Sequence, residues 1–238
     1  MAGRVVFVTG SSRGIGLEIA REFAAMGDRV VLNGRVDRER LDMASDELGC
    51  MGILADMSDY SQAEAAFEDI RQNLGPVEVL VNNAGEAHFA LFTDTRPDEW
   101  DGIMRNNFTT VLNAAHLAVP DMVRAKRGAI INISSIWGNT GASCEAVYSA
   151  AKGAVHAFTR SMAQELGPSG VRVNAIACGA IETRMNARLS DEEREEFIDK
   201  ISLMRFGTPG EVAKLACFLA SEEAGYLTGQ VIALDGGM

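Results

Sequence analysis

Thr9-Gly10-Ser11-Ser12-Arg13-Gly14-Ile15-Gly16 is the stretch that decides how this chain is built. It follows a β-branched and aromatic run that begins at Arg4 and opens a segment, 14–26, whose apolar residues recur at helical spacing. The reading is strand, tight turn, helix. Gly10 permits the turn, Gly14 lets backbone approach a pyrophosphate, and Gly16 lets the helix start close to the sheet with its first amides facing an anion. The spacing is G-x-x-x-G-x-G rather than G-x-G-x-x-G, and three glycines can also serve a connection and nothing else. The order strand, glycines, helix favours the dinucleotide reading.

Outward from that turn the same alternation repeats. Strands are expected at 29–33, 51–55, 77–81, 129–133 and 171–177, with a last one inside 227–237. Helices are expected over 37–48, from a capping box at Ser61 and Glu64 to residue 74, and over 98–126 with Pro97 in the first turn. Further helices run from Tyr148 to Leu166 and from caps at Ser190 and Thr208. This pattern predicts an α/β fold, a single doubly wound parallel sheet of Rossmann type with helices on both faces. One domain over 1–238 is expected, with a substrate lid at about 182–208.

With 22 Lys plus Arg against 33 Asp plus Glu, the net charge is −11, which disfavours nucleic acid or an anionic membrane as partner. No segment has the length of a membrane span and no signal-peptide pattern opens the chain, so a cytoplasmic protein is expected. Four cysteines, Cys50, Cys144, Cys178 and Cys217, show neither metal-ligand nor disulfide spacing. No metal site is expected.

The chemistry gathers between Ser135 and Lys152. Tyr148 and Lys152 lie four residues apart in a helix-forming run and share one helix face. An ammonium beside a phenol favours the phenolate, which predicts a lowered Tyr148 pKa and a general acid. Ser135, at the end of an apolar strand, can hydrogen-bond a carbonyl oxygen as it gains negative charge. A lone Y-x-x-x-K is common on helix surfaces, so context has to carry the assignment.

Ser135, Tyr148 and Lys152, with serine thirteen positions before tyrosine, resemble the active-site pattern of the short-chain dehydrogenase/reductase family. The likeness extends through the glycine turn, Asn82-Asn83-Ala84-Gly85, and the last strand and tail, and so covers essentially the whole chain. The resemblance implies reduction of a ketone by hydride transfer from NADPH. Tyr148 would protonate the oxygen, Ser135 would orient it, Lys152 would hold the nicotinamide ribose, and Asn107 would support the proton path. It implies cofactor contacts at Gly10, Ser11, Ser12, Arg13, Gly14, Ile15, Gly16, Asp56, Met57, Asn83, Ala84, Gly85, Tyr148, Lys152, Ile181 and Thr183. It also implies a homotetramer built through the Asn107 and Tyr148 helices. Asn106, beside Asn107, reads as a surface residue. Cys178 stands where relatives mostly carry proline, which predicts a less preorganised loop before Ile181 and Thr183.

Cofactor choice turns on the end of the second strand, where an NAD-preferring site offers a carboxylate to the ribose 2′-hydroxyl. Here the residue is Arg35, and with Arg13 it can clamp a 2′-phosphate, so NADP(H) is expected although Asp37 is close by. For substrate, the chain resembles the 3-oxoacyl-acyl-carrier-protein reductases, and its stretch from Ser135 to Ser149 resembles the reductases of the 5-aminopentanone group on elongation factor P. Expected substrate contacts are Ser135, Trp137, Glu145 and Tyr148, with Glu145 suited to a cationic amine. An acidic carrier protein would require basic residues at the site mouth, and Arg124, Lys126 and Arg127 are the candidates. The alternative of another class is a nucleotide-binding sensor without turnover.

Overall fold

The computed structural model describes residues 3–184 and 190–238. Seven parallel strands form one sheet in the order β3-β2-β1-β4-β5-β6-β7. They are β1 (Val5–Val8), β2 (Arg29–Gly34), β3 (Met51–Leu54), β4 (Val79–Asn82), β5 (Gly128–Ser135), β6 (Val171–Cys178) and β7 (Val231–Leu234). The doubly wound parallel sheet expected from the sequence is therefore present.

Both faces of the sheet are covered, which is why β1 is apolar at every position and buried throughout. Val6 and Val8 face one way, against Ile19 and Phe23 of α1 (Gly14–Ala25), Leu41 of α2 (Arg38–Leu48) and Val212 and Ala216 of α9 (Pro209–Ala220). Val5 and Phe7 face the other way, against Phe67 and Ile70 of α3 (Tyr60–Asn73), Ala115 and Met122 of α5 (Thr110–Ala125) and Ala163 and Leu166 of α7 (Ala146–Leu166).

Because all strands are parallel, their C-terminal ends share one edge, and the order reverses beside β1, between β1 and β4. A crevice opens at such a switch point. That edge carries the glycine turn after β1, Arg35 after β2, Asn83 after β4, Ser135 ending β5 and Cys178 ending β6.

Three local expectations change. The helix α3 begins earlier than expected because Asp59, not Ser61, is its cap: the Asp59 carboxylate accepts from the Gln62 amide at 3.1 Å and from the Ser61 hydroxyl at 2.7 Å. The long helix expected over 98–126 is interrupted. It forms α4 (Pro97–Met104), a π-helical turn (Arg105–Thr109) and α5. The loop after β6 is well tied despite Cys178 in place of proline. Gly179 N–H donates to the Leu234 carbonyl at 3.0 Å, Gly207 N–H to Ala180 at 2.9 Å and Glu182 N–H to Gly207 at 2.8 Å, so neighbouring backbone supplies the order proline would have given.

The lid expected over 182–208 includes residues 185–189, which lie outside the described residues. Of the remainder, α8 (Asp191–Ile198) carries the capping box of Ser190 and Glu193 foreseen in the sequence. A short α6 (Trp137–Thr140) fills the gap between β5 and α7.

Candidate active site

Ser135 ends β5, and α7 packs against that strand with Tyr148 and Lys152 on its inner face, so all three side chains are buried at the crevice. The Ser135 hydroxyl accepts from the Trp137 amide at 3.2 Å and is close enough to Tyr148 to act on its pKa. Lys152 Nζ lies 5.5 Å from the centroid of the Tyr148 ring and donates to the Ile133 carbonyl at 3.3 Å.

Asn107 joins them from the π turn. A π turn leaves a carbonyl of the preceding helical turn without its usual backbone donor. The Asn107 side chain supplies one, its Nδ2 donating to the Ile103 carbonyl at 3.0 Å and to the Glu86 carbonyl at 2.9 Å. A Cβ on Gly85 would lie 2.7 Å from Asn107 Oδ1 and 3.3 Å from Lys152 Nζ. Glycine is therefore what lets the asparagine and the ammonium share that space.

The electrostatics differ from the sequence expectation at one point. The Tyr148 pKa is not lowered; burial pushes it above its ordinary value, and the charge of Glu145 and a smaller influence of Cys178 push it further, against the opposing influence of the Ser135 hydroxyl. Lys152 is itself buried, which pulls its pKa down to about 8. At neutral pH the phenol keeps its proton. Burial also raises the Cys178 thiol to about 12, which leaves it a packing residue rather than a redox group.

The residues expected around a dinucleotide fall into two groups. Ser12, Arg13, Gly14 and Arg35 line the open side of the turn. Gly10 and Gly14 both have positive φ, 61° and 59°, and nothing lies within 4 Å of the Cβ that Gly14 lacks. Arg13 makes no side-chain cap and the first turn of α1 holds no acidic residue, so its amides face an open cradle that fits a pyrophosphate. Gly16 is needed for close packing, since a Cβ there would meet Asn83 Nδ2 at 2.5 Å and the Gly10 carbonyl at 2.7 Å.

The second group holds this cradle from inside. Ser11 is fully buried, its hydroxyl donating to the Val8 carbonyl at 2.7 Å and accepting from the Asn33 amide at 2.9 Å. The Asn83 side chain donates to the Thr9 and Gly10 carbonyls at 3.0 and 2.9 Å, and the Ala84 amide donates to the Thr9 hydroxyl at 3.0 Å. Ile15 packs on the core, and the Asp56 carboxylate accepts from the Ser58 amide at 2.9 Å. Met57 and Ile181 have core side chains, and the Met57 carbonyl accepts from Asn113 at 3.0 Å. Thr183 is half-buried in the loop after β6.

Sequence reading missed Asn33 and Thr9. Asn33 Oδ1 accepts from the Gly10 amide at 3.0 Å while its Nδ2 donates to the Ala55 carbonyl at 3.0 Å, tying the turn to the end of β3. A buried polar residue at the end of an apolar strand is the signal that marks it. Asn106 is a surface residue as expected, and it is engaged there: its Oδ1 accepts from Arg35 at 2.9 Å and its Nδ2 donates to Glu86.

On the substrate side a crevice beside Tyr148 is lined by His88, Ala90, Phe92, Cys144 and Glu145. Glu145 is buried there, immediately before α7. Trp137 enters the site through its backbone amide on Ser135. The basic residues expected at the mouth are elsewhere. Arg124, Lys126 and Arg127 precede β5 whereas Ser135 ends it, and seven steps of about 3.3 Å place them roughly 23 Å away along the strand. Two are also paired, Arg124 with Asp121 and Arg127 with Glu78.

A buried polar layer supports the site from beneath. Asn82 donates to Asn132 and Asn132 to Thr159, each at 2.9 Å, linking β4, β5 and α7. Ser134 contacts His156 Nε2 at 2.8 Å. Burial lowers the His156 pKa to about 4, helped by the charges of Arg160 and Lys152 and opposed by a hydrogen bond with the Gly138 backbone. The unfolded histidine takes up its proton near 6.5 and the folded one only near 4, so this contribution is complete above 6.5 and lost as pH falls to 4. Denaturant titrations at pH 6.5 and 4.5 should therefore differ by about 2 to 3 kcal/mol more in the wild type than in His156→Asn. Equal pH dependence in the two proteins would remove His156 as the cause.

The family model described as enoyl-(acyl carrier protein) reductase matches residues 10–238. An uncharacterized oxidoreductase of Bacillus subtilis, YmfI, is 37% identical over 237 residues, 98% of each chain. The 3-oxoacyl-[acyl-carrier-protein] reductase FabG of Thermotoga maritima is 37% identical over 243 residues, covering 100% of this chain and 98% of its own. The crystal structure of a 3-oxoacyl-[acyl-carrier protein] reductase from Brucella melitensis superposes with a TM-score of 0.94 at 34% identity, covering 99% of this chain and 91% of its own. Likeness of this extent in sequence and in backbone, over a sheet whose switch point carries the glycine turn, establishes that the chain belongs to the short-chain dehydrogenase/reductase family of oxidoreductases.

Proposed function

We propose that the chain reduces a ketone to a secondary alcohol with NADPH, and that the ketone is a 3-oxoacyl thioester. The observation that carries this reading is the gathering of buried Ser135, Tyr148 and Lys152, with the Lys152 ammonium 5.5 Å from the Tyr148 ring, at the crevice the glycine turn opens onto. The bound dinucleotide supplies the hydride. Ser135 positions the substrate oxygen, and Tyr148, protonated at neutral pH, donates to it as charge develops there. Lys152 and Asn107, which meet at Gly85, hold the nicotinamide ribose and the proton path. Arg13 and Arg35 receive a 2′-phosphate. The working form is a cytoplasmic homotetramer.

Nucleotide titration tests the cofactor. Wild type should bind NADPH more tightly than NADH, and Arg35→Asp should reverse the order by repelling the phosphate and accepting from the ribose hydroxyl. NADPH affinity should also be full below about pH 8 and fall above it, because the buried Lys152 loses its charge there. A flat affinity from pH 7 to 9 would remove Lys152 from the contact.

One observation favours a second substrate, the 5-aminopentanone group on elongation factor P. Glu145 places a buried carboxylate beside Tyr148, a chemistry that suits a cationic amine. With Arg124, Lys126 and Arg127 at the far edge of the sheet, a 3-oxoacyl thioester should gain little when its small thiol is replaced by a whole carrier protein. A large, salt-sensitive gain lost in Lys126→Glu would favour fatty-acid synthesis. Selective loss of aminopentanone reduction in Glu145→Gln would favour the second substrate, and no turnover of any ketone would leave a nucleotide sensor.

A further inference from the structure

Three side chains close a ring at the crevice mouth. Arg35 Nη1 donates to Asn106 Oδ1 at 2.9 Å, Arg35 Nη2 lies 3.4 Å from Glu86 Oε2, and Asn106 Nδ2 donates to the other Glu86 oxygen. Arg35 follows β2 and Glu86 follows β4, and β1 lies between those strands in the sheet. The bond therefore spans the edge from which the glycine turn rises. The Glu86 backbone is anchored by Asn107: Asn107 Nδ2 donates to the Glu86 carbonyl at 2.9 Å and the Glu86 amide donates to Asn107 Oδ1 at 3.2 Å. The π turn makes this possible by sending Asn106 outward to the ring and Asn107 inward to the site.

We infer that Glu86 is a specificity-determining residue for the dinucleotide. Its carboxylate holds Arg35 in reserve and is exchanged for the 2′-phosphate of NADP(H), so it sets the margin by which the phosphorylated dinucleotide is preferred. This rests on the reading of Arg35 as a phosphate ligand. Carboxylate and phosphate compete for the same guanidinium donors. NADH asks for no such exchange and leaves the ring closed. The Arg35 and Glu86 side chains are 44% and 51% exposed, so their bond is weak enough to be displaced by a doubly charged phosphate.

The experiment is fluorescence titration of NADPH and NADH against wild type, Glu86→Gln, Arg35→Gln and the double variant, with adenosine 2′,5′-bisphosphate as a competitor that lacks the nicotinamide. Glu86→Gln should tighten NADPH and the bisphosphate by roughly three- to tenfold and change NADH by less than about twofold. Asn106→Ala should give a smaller gain in the same direction, and the Glu86→Gln gain should vanish in the Arg35→Gln background. If Glu86→Gln tightens both dinucleotides equally, or its gain survives without Arg35, Glu86 acts only as a distant charge and the exchange is wrong. If Arg35→Gln weakens NADPH while Glu86→Gln does nothing, Arg35 binds phosphate but Glu86 does not compete. If Arg35→Gln leaves the NADPH to NADH ratio unchanged, the phosphate reading itself falls and the exchange falls with it.

Discussion

Tyr148→Phe should reduce ketone turnover by about 10²- to 10⁴-fold while NADPH affinity stays within a few-fold of wild type. The change keeps the ring and removes the phenolic proton, whose pKa burial raises. Burial and Glu145 hold that proton on the wild-type phenol at neutral pH, so the acid is fully loaded before the reaction begins. Packing should survive, since the ring is buried on the inner face of α7 and phenylalanine fills nearly the same volume. Nucleotide titration and single-turnover rates on the same preparation separate the two effects. Near-normal turnover would show that another group delivers the proton, and equal loss of binding and turnover would show that the hydroxyl acts on the cofactor instead.

What could be read from the sequence was whatever a local rule determines. Gly10 and Gly14 were legible because a positive φ at the end of a strand asks for glycine, and both have it. Tyr148 and Lys152 were legible because four residues along a helix fix a common face. Competition between local rules misplaced the start of α3, where Asp59 outranks Ser61 as the cap and uses the Ser61 hydroxyl as a further donor. Relations between distant segments could not be read. Arg35, Glu86 and Asn106 come from three separate stretches and meet only because β2 and β4 flank β1. Arg124, Lys126 and Arg127 are near Ser135 in sequence, but β5 carries the chain from one edge of the sheet to the other between them. The direction of the Tyr148 shift was also hidden, because it depends on burial and on Glu145 rather than on the neighbour one turn away.

Lys152→Met should lower kcat/KM by about 10²- to 10³-fold, through two separable losses. Methionine keeps the aliphatic packing of a side chain that is 5% exposed, but removes the charge. Once Tyr148 has given up its proton it is a buried phenolate beside Glu145, and the ammonium 5.5 Å from its ring is the cation placed to offset that charge. At an effective dielectric of about 20 that attraction is worth about 3 kcal/mol, or roughly 10² in rate if it is absent when transfer occurs. The second loss is a ribose contact, which should weaken NADPH by about tenfold. Saturating NADPH recovers the second loss and not the first, so kcat at saturation should remain roughly 10²-fold down. Full recovery of kcat at saturation would confine Lys152 to holding the cofactor and leave Tyr148 to work without a counter-charge.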